Sequence, residues 1–230
     1  MLTFSEKFYL NFVKDDRWRY LTDGLRNTIV IAFFAVLIGV AIGFLIAMIR
    51  TTHDKTGKFK VLNLLAKGYL TLIRGTPALI QLLIIYYVVF ASVDVSKTLV
   101  ACVAFGLNSG AYVAEIFRSG IMSIDRGQME AGRSLGLSYN TTMWLIVMPQ
   151  AIKNILPALG NEFIVLLKET SISGYIAIQD LTKGGDIIRS RTYEAFLPLF
   201  AVAIIYLIIV IGLEKLVAMM ERRLAKSDYR

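Results

Sequence analysis

The chain has one cysteine and one histidine in 230 residues. Cys102 stands alone inside an apolar run, so an intrachain disulfide is excluded and a buried packing role is expected. His53 lies in a short basic loop, and one imidazole without further ligands does not hold a metal. No G-x-x-x-x-G-K-[ST] is present. The nearest piece, Asp54-Lys55-Thr56-Gly57-Lys58, lacks the first glycine. Gly106-Leu107-Asn108-Ser109-Gly110 misses the nucleophile elbow, which needs serine at the third place. No acid–base pair or metal motif can be read. An enzyme is therefore not expected, nor a cofactor bound by this chain. A cleavable signal peptide is not expected either: the first apolar run starts at Thr28, is too long, and has no small-residue cleavage site. The net charge of +8 forms no dense cluster, which speaks against nucleic acid. It suits basic loops at the surface of anionic membrane lipid.

What the chain has is apolar length. It is 56% hydrophobic, above the 45–50% typical of soluble domains. Thr28–Ile49 is a 22-residue run without charge; Gly75–Val93 gives 19, Thr98–Ala114 gives 17 and Ala195–Leu213 gives 19. A helix crosses the bilayer core with ~20 such residues. The expected fold is an all-α, polytopic membrane helix bundle of about five transmembrane helices. The spans are Thr28–Ile49, Val61–Val93 with a kink at Pro77, Thr98–Phe117, a segment between Trp144 and Ile178, and Ala195–Leu213. Residues 1–23 read as an extracytoplasmic or interfacial amphipathic segment, with Phe4, Phe8 and Phe12 at helical spacing. Residues 24–217 form one transmembrane domain with a cytoplasmic loop at about 121–149, and 218–230 a cytoplasmic tail. With the amino terminus outside, inner segments carry thirteen Lys and Arg and outer ones ten. That bias favours an outer amino terminus and a cytoplasmic carboxy terminus.

Gly39, Gly43 and Ala47 recur every four residues in the first span, a spacing that lets helix backbones meet closely. Asp125 precedes a short helix as its cap, with Gln128 placed for a capping box and Gly136 as a stop. Met129 and Leu135 give this helix apolar contact points, suited to another protein's groove. Glu162 stands in the apolar stretch Ile155–Leu167. A carboxylate there costs several kcal/mol unless it faces a polar cavity or a partner such as Lys168, Arg74 or Lys67. It would favour a cationic group. Asn154–Leu167 is too short to cross alone, and Lys168-Glu169-Thr170-Ser171 interrupts it, so a segment broken around Glu162 is expected. Asn108, Ser109 and Thr76 are placed to reach the same cavity, and Asn161 adjoins Glu162.

Glu130-Ala131-Gly132-x-x-x-Gly136, nine residues, then Ile146-x-Met148-Pro149 resembles the EAA signature of ABC importer permeases. The departures are Gly132 for the second alanine and Met148 for leucine. Further blocks look like the polar amino-acid branch, of histidine, arginine and glutamine type: Arg74-Gly75-Thr76-Pro77, Asn108 through Glu115, Leu156 through Phe163, and Lys168 through Ser171. The resemblance implies a type I importer fold in a prokaryotic inner membrane. It implies a separate ATPase in two copies, using ATP and Mg, and a second permease subunit, a copy or a paralogue. An extracytoplasmic solute-binding protein would deliver a polar amino acid. It also implies that Arg126, Glu130, Ala131, Gly132, Arg133, Leu135 and Gly136 form the coupling helix. Glu162 points to a basic substrate; glutamine or cystine is the alternative. A secondary transporter or channel is the reading of another class, and the absence of an internal repeat argues against it.

Overall fold

The computed structural model describes residues 3–225, without the side chains of Lys55 and Ala225. The last part of the expected tail, 226–230, and the first two residues of the opening segment lie outside the described residues. All regular structure among the described residues is helical.

Helix α1 (Phe4–Phe8) opens on a reciprocal cap between Thr3 and Glu6, and a π-turn at Tyr9–Val13 extends it. Phe8 and Phe12 meet at 5.1 Å between ring centres. Buried Asn11 ties this segment to a distant loop, donating to Glu194 at 3.0 Å and accepting from Thr192 at 2.8 Å. Helix α2 (Trp18–Thr56) contains the whole first apolar run and stops at Gly57, whose φ of 66° is a left-handed cap. Its 39 residues span about 58 Å.

Helices α3 (Lys60–Gly75) and α4 (Ala78–Ile84) cover the second expected span. They are not one kinked helix: the direction changes by 111°. Pro77 is the cause, since its ring keeps Thr76 extended (φ −125°, ψ 149°) and ends α3. Helix α5 (Lys97–Met122) is the central element. Its most apolar stretch is 67% buried, against 11% for α10 (Phe196–Ala225), which leaves α10 a peripheral helix. Cys102 is buried in α5 as expected.

A loop of two short helices, α6 (Arg126–Ser134) and α7 (Tyr139–Thr142), leads into α8 (Met148–Glu169). Helix α8 is not the segment broken around Glu162 that its composition suggests. It follows the π-turn Met143–Val147 without a break, so Pro149 lies just past that wider turn, inside a continuous helical stretch. It runs unbroken through Pro157 and Glu162 for 22 residues, about 33 Å. That is long enough to cross. The break falls later, in the 3-10 turns at Thr170–Ile176. Helix α9 (Leu181–Thr192) follows, its amino end capped by Asp180, which accepts from the N–H groups of Thr182 and Lys183. Helix α9 packs on the first turns of α2, where Asn27 donates to the Gln179 carbonyl at 2.9 Å. Helix α6 lies at the other end of α2. Among the described residues, three helices are long and apolar enough to cross a membrane, or four with the bent pair counted as one. Helix α8, more polar, packs among them against α2, α5 and α10.

The α2–α5 contact is close because both surfaces are small. A Cβ added at Gly39 would lie 2.7 Å from Ser109 Oγ, and one at Gly43 would lie 2.7 Å from the Ala114 nitrogen. From the other side, a Cβ at Gly106 would meet Ile38 at 2.6 Å. Gly43→Val should therefore lower the unfolding midpoint in detergent, overpacking costing ~1–3 kcal/mol of stability. Gly212→Ala, with nothing within 4 Å, should not lower it. Equal midpoints for Gly43→Val and the parent protein would refute this account of the contact.

Candidate functional site

Helix α5 organises three polar groups. Ser109 is fully buried, in the space that Gly39 leaves open, and donates to Glu162 Oε1 at 2.8 Å. Glu162 is half-buried. Among the described residues no cation lies within ion-pair distance of it; Arg74, one expected partner, pairs with Glu115 instead.

The second group joins the halves of the bent pair. Gln81 on α4 donates to the Thr76 carbonyl at 3.0 Å, to Thr76 Oγ1 at 2.8 Å and to the Ile73 carbonyl at 2.8 Å. Its own carbonyl accepts from Asn108 at 2.9 Å. Asn108 and Thr76 are thus linked through Gln81, and both belong to the wall made by α3, α4 and α5. Gln81 was not singled out from the sequence; the signal was an amide inside the uncharged run Gly75–Val93.

The third group gathers around Glu115. Arg50 from α2 lies 3.0 Å from it, Arg74 from α3 3.5 Å, and Arg118 from α5 itself 3.8 Å. Sequence reasoning missed this set, since its members come from three helices. Asn161 is exposed, one position and about 100° around α8 from Glu162, so the two do not share a face.

The α6 loop is built to present a surface. Asp125 caps α6, but its side chain accepts from Gly127 N–H at 2.7 Å. The expected capping box with Gln128 does not form, because the Gln128 side chain turns to Gln150. The stop is as expected: Gly136 takes φ 84°, its N–H bonds the Arg133 carbonyl, and Leu137 N–H bonds the Gly132 carbonyl. One face of α6 is held. Met129 packs on Met143 and Val147, and Gly132 is buried against Thr142. The rest of the loop surface is open among the described residues: Ala131, Arg133 and Gly136 are exposed, Leu135 is 81% exposed, and Arg126 and Glu130 are exposed along one edge. Behind α6 lies a cavity of about 480 Å³ whose walls include Asp54, Arg118, Met129 and Glu130.

The packing of Gly132 explains one departure from the EAA pattern. A Cβ there would lie 2.5 Å from Thr142 Cγ2 and 2.9 Å from its hydroxyl, and Thr142 is fully buried. Gly132→Ala should lower the unfolding midpoint, by ~1–3 kcal/mol. Adding Thr142→Ala should recover part of the loss. A single variant as stable as the parent, or a double variant less stable than either single one, would contradict this.

Residues 39–226 match the family described as binding-protein-dependent transport system inner membrane component. A putative glutamine transport system permease protein of Rickettsia typhi is 36% identical over 97% of this chain and 99% of its own. The arginine transport system permease protein ArtQ of Bacillus subtilis is 34% identical over 91% and 94%. The L-cystine transport system permease protein TcyB of the same species is 33% identical over 97% and 94%. One chain in the crystal structure of an amino acid ABC transporter with histidines is 40% identical, with TM-score 0.85 over 97% of this chain and 99% of that one. A chain of the MetNI methionine ABC transporter, inward facing and 18% identical, shares the fold with TM-score 0.77. These matches meet the polar membrane bundle and its exposed EAA loop from independent directions: the chain belongs to the binding-protein-dependent inner membrane components, as a multi-pass permease of the amino-acid ABC importers.

Proposed function

We propose that this permease carries a polar amino acid inward, with a preference for a basic one, by alternating access. Its motor is a separate ATPase, present in two copies, that uses ATP and Mg. An extracytoplasmic solute-binding protein delivers the substrate, and a second permease subunit, a copy or a paralogue, completes the passage. The amino terminus lies outside and the α6 loop faces the cytoplasm, in keeping with the Lys and Arg distribution. The exposed face of α6, with Glu130, Ala131, Arg133 and Leu135, docks into the ATPase, and Gly132 and Gly136 set its packing and its end. Relatives named for glutamine, arginine and cystine leave the side-chain class open.

The observation that favours a basic substrate is Glu162. It is a half-buried carboxylate held by Ser109, with no cation within ion-pair distance among the described residues. A guanidinium, ammonium or imidazolium arriving there supplies the missing charge. Asn108 and Thr76, linked through Gln81, would line the same route.

Glu162→Gln tests this. A hydrogen bond to a charged group contributes ~1.5–3 kcal/mol, tenfold or more in affinity. In a reconstituted complex with its ATPase and binding protein, the variant should lose about tenfold in arginine, lysine or histidine uptake. Uptake of a neutral amino acid should fall far less. Equal losses would remove Glu162 from side-chain selection, and unchanged uptake of both would remove it from the route.

A further inference from the structure

Three guanidiniums share one carboxylate at Glu115. Arg118 also shares a cavity wall with Asp54 and Glu130, but among the described residues Arg50 and Arg74 have only Glu115 within ion-pair distance. The Arg50 side chain is only 16% exposed, and its buried Nε has no acceptor. Arg74 is half-exposed at the tip of α3, beside the 111° break. A positive excess of this kind, partly removed from water, calls for an anion. Guanidinium groups match a carboxylate in particular, because two parallel N–H groups meet its two oxygens.

The position of the set on α5 says which anion. With 3.6 residues per turn, Tyr112 and Ser119 mark the stripe of α5 that stays exposed. Ser109 lies about 60° to one side of Tyr112, and Glu115 about 60° to the other. The open stripe is therefore bordered by the Ser109–Glu162 carboxylate on one edge and by Arg74 on the other. The two are offset by about 9 Å along the helix, six residues, with the arginines nearer the α6 loop. A negative pole and a positive pole flank one open strip. An amino acid carries the complementary pair.

We propose that Arg74, backed by Arg50 and Arg118, receives the α-carboxylate of the translocated amino acid. The proposal rests on the amino-acid import reading and does not depend on which side chain is carried. Arginine, glutamine and cystine all have that carboxylate, while only a basic side chain uses the pole at Glu162. Glu115 holds the three guanidiniums together while no substrate is present, and the incoming carboxylate takes over part of their hydrogen bonding.

The test uses the purified permease–ATPase complex in nanodiscs without the binding protein, which could itself select for a carboxylate. Arginine and glutamine are each compared with their α-amides by direct binding. The parent complex should bind each acid about tenfold more tightly than its amide. Arg74→Gln should remove that gap by weakening the acids and leaving the amides unchanged, and Arg74→Lys should restore part of it. An Arg74→Gln variant that keeps the gap, or that weakens acids and amides alike, overturns the proposal. So does an effect of Arg74→Gln seen only in nanodiscs with anionic phospholipid, which would assign the site to a headgroup. If the parent complex binds neither amino acid, the amino-acid reading itself fails; if it binds them and only the gap is absent, that reading stands and this one falls.

Discussion

The contact between α2 and α5 is the constraint on which the bundle rests. Lipid gives apolar helices no reason to prefer each other over acyl chains, so association in the membrane depends on close packing and on hydrogen bonds. Glycines on both helices provide the packing, at Gly39 and Gly43 on one side and Gly106 and Gly110 on the other. The closeness has a chemical consequence. With only a hydrogen at Gly39, Ser109 fits beneath it and directs its hydroxyl to Glu162 on α8. A structural feature of the α2–α5 seam thereby fixes the geometry of a carboxylate on a third helix.

The remaining elements are arranged around α5 according to the polar groups they bring. The bend at Pro77 frees backbone carbonyls that a straight helix would have satisfied, and Gln81 takes up two of them while holding Asn108. The same bend places Arg74 where it meets Glu115 with Arg50. At one end of the bundle α9 closes over the start of α2; at the other, α6 is held by Met129 and Gly132 and turns its charged face outward. The polar groups of the interior and the exposed α6 surface attach to the same pair of helices, α2 and α5. Helix α5 carries Asn108 and Ser109 at its middle and ends at Ser123, its cap, which accepts from Asn154 of α8 at 2.8 Å just before the loop begins.

Much of this could be read from the sequence, for physical reasons. Runs such as Thr28–Ile49 and Ala195–Leu213 are set by the bilayer's thickness, and a local count of apolar residues finds them. Gly136 marks its own helix end, since a residue at φ 84° is cheapest as glycine. The four-residue spacing of Gly39 and Gly43 pointed correctly to a helix contact. Features that depend on distant partners could not be read. The set around Glu115 joins residues 50, 74, 115 and 118, and nothing local announces it. Helix α8 misled because Lys153 and Asn154 interrupt the apolar count, although backbone hydrogen bonding is indifferent to that interruption. At Asp125 the spacing suited a capping box, but tertiary contact with Gln150 claimed the Gln128 side chain.

The central claim is a passage without its own motor, driven through the α6 loop. Amino-acid uptake into proteoliposomes holding the full complex tests it most directly, comparing the parent with a Glu130→Ala, Gly136→Val double variant. Neither residue lies in the membrane core; valine at Gly136 would strain a left-handed residue and spoil the end of α6. The parent is predicted to accumulate substrate only with ATP and the binding protein. The double variant should insert into the membrane and assemble but fail to accumulate substrate. Normal ATP-driven uptake by the double variant, or uptake by the parent on an ion gradient without ATP, would contradict the account.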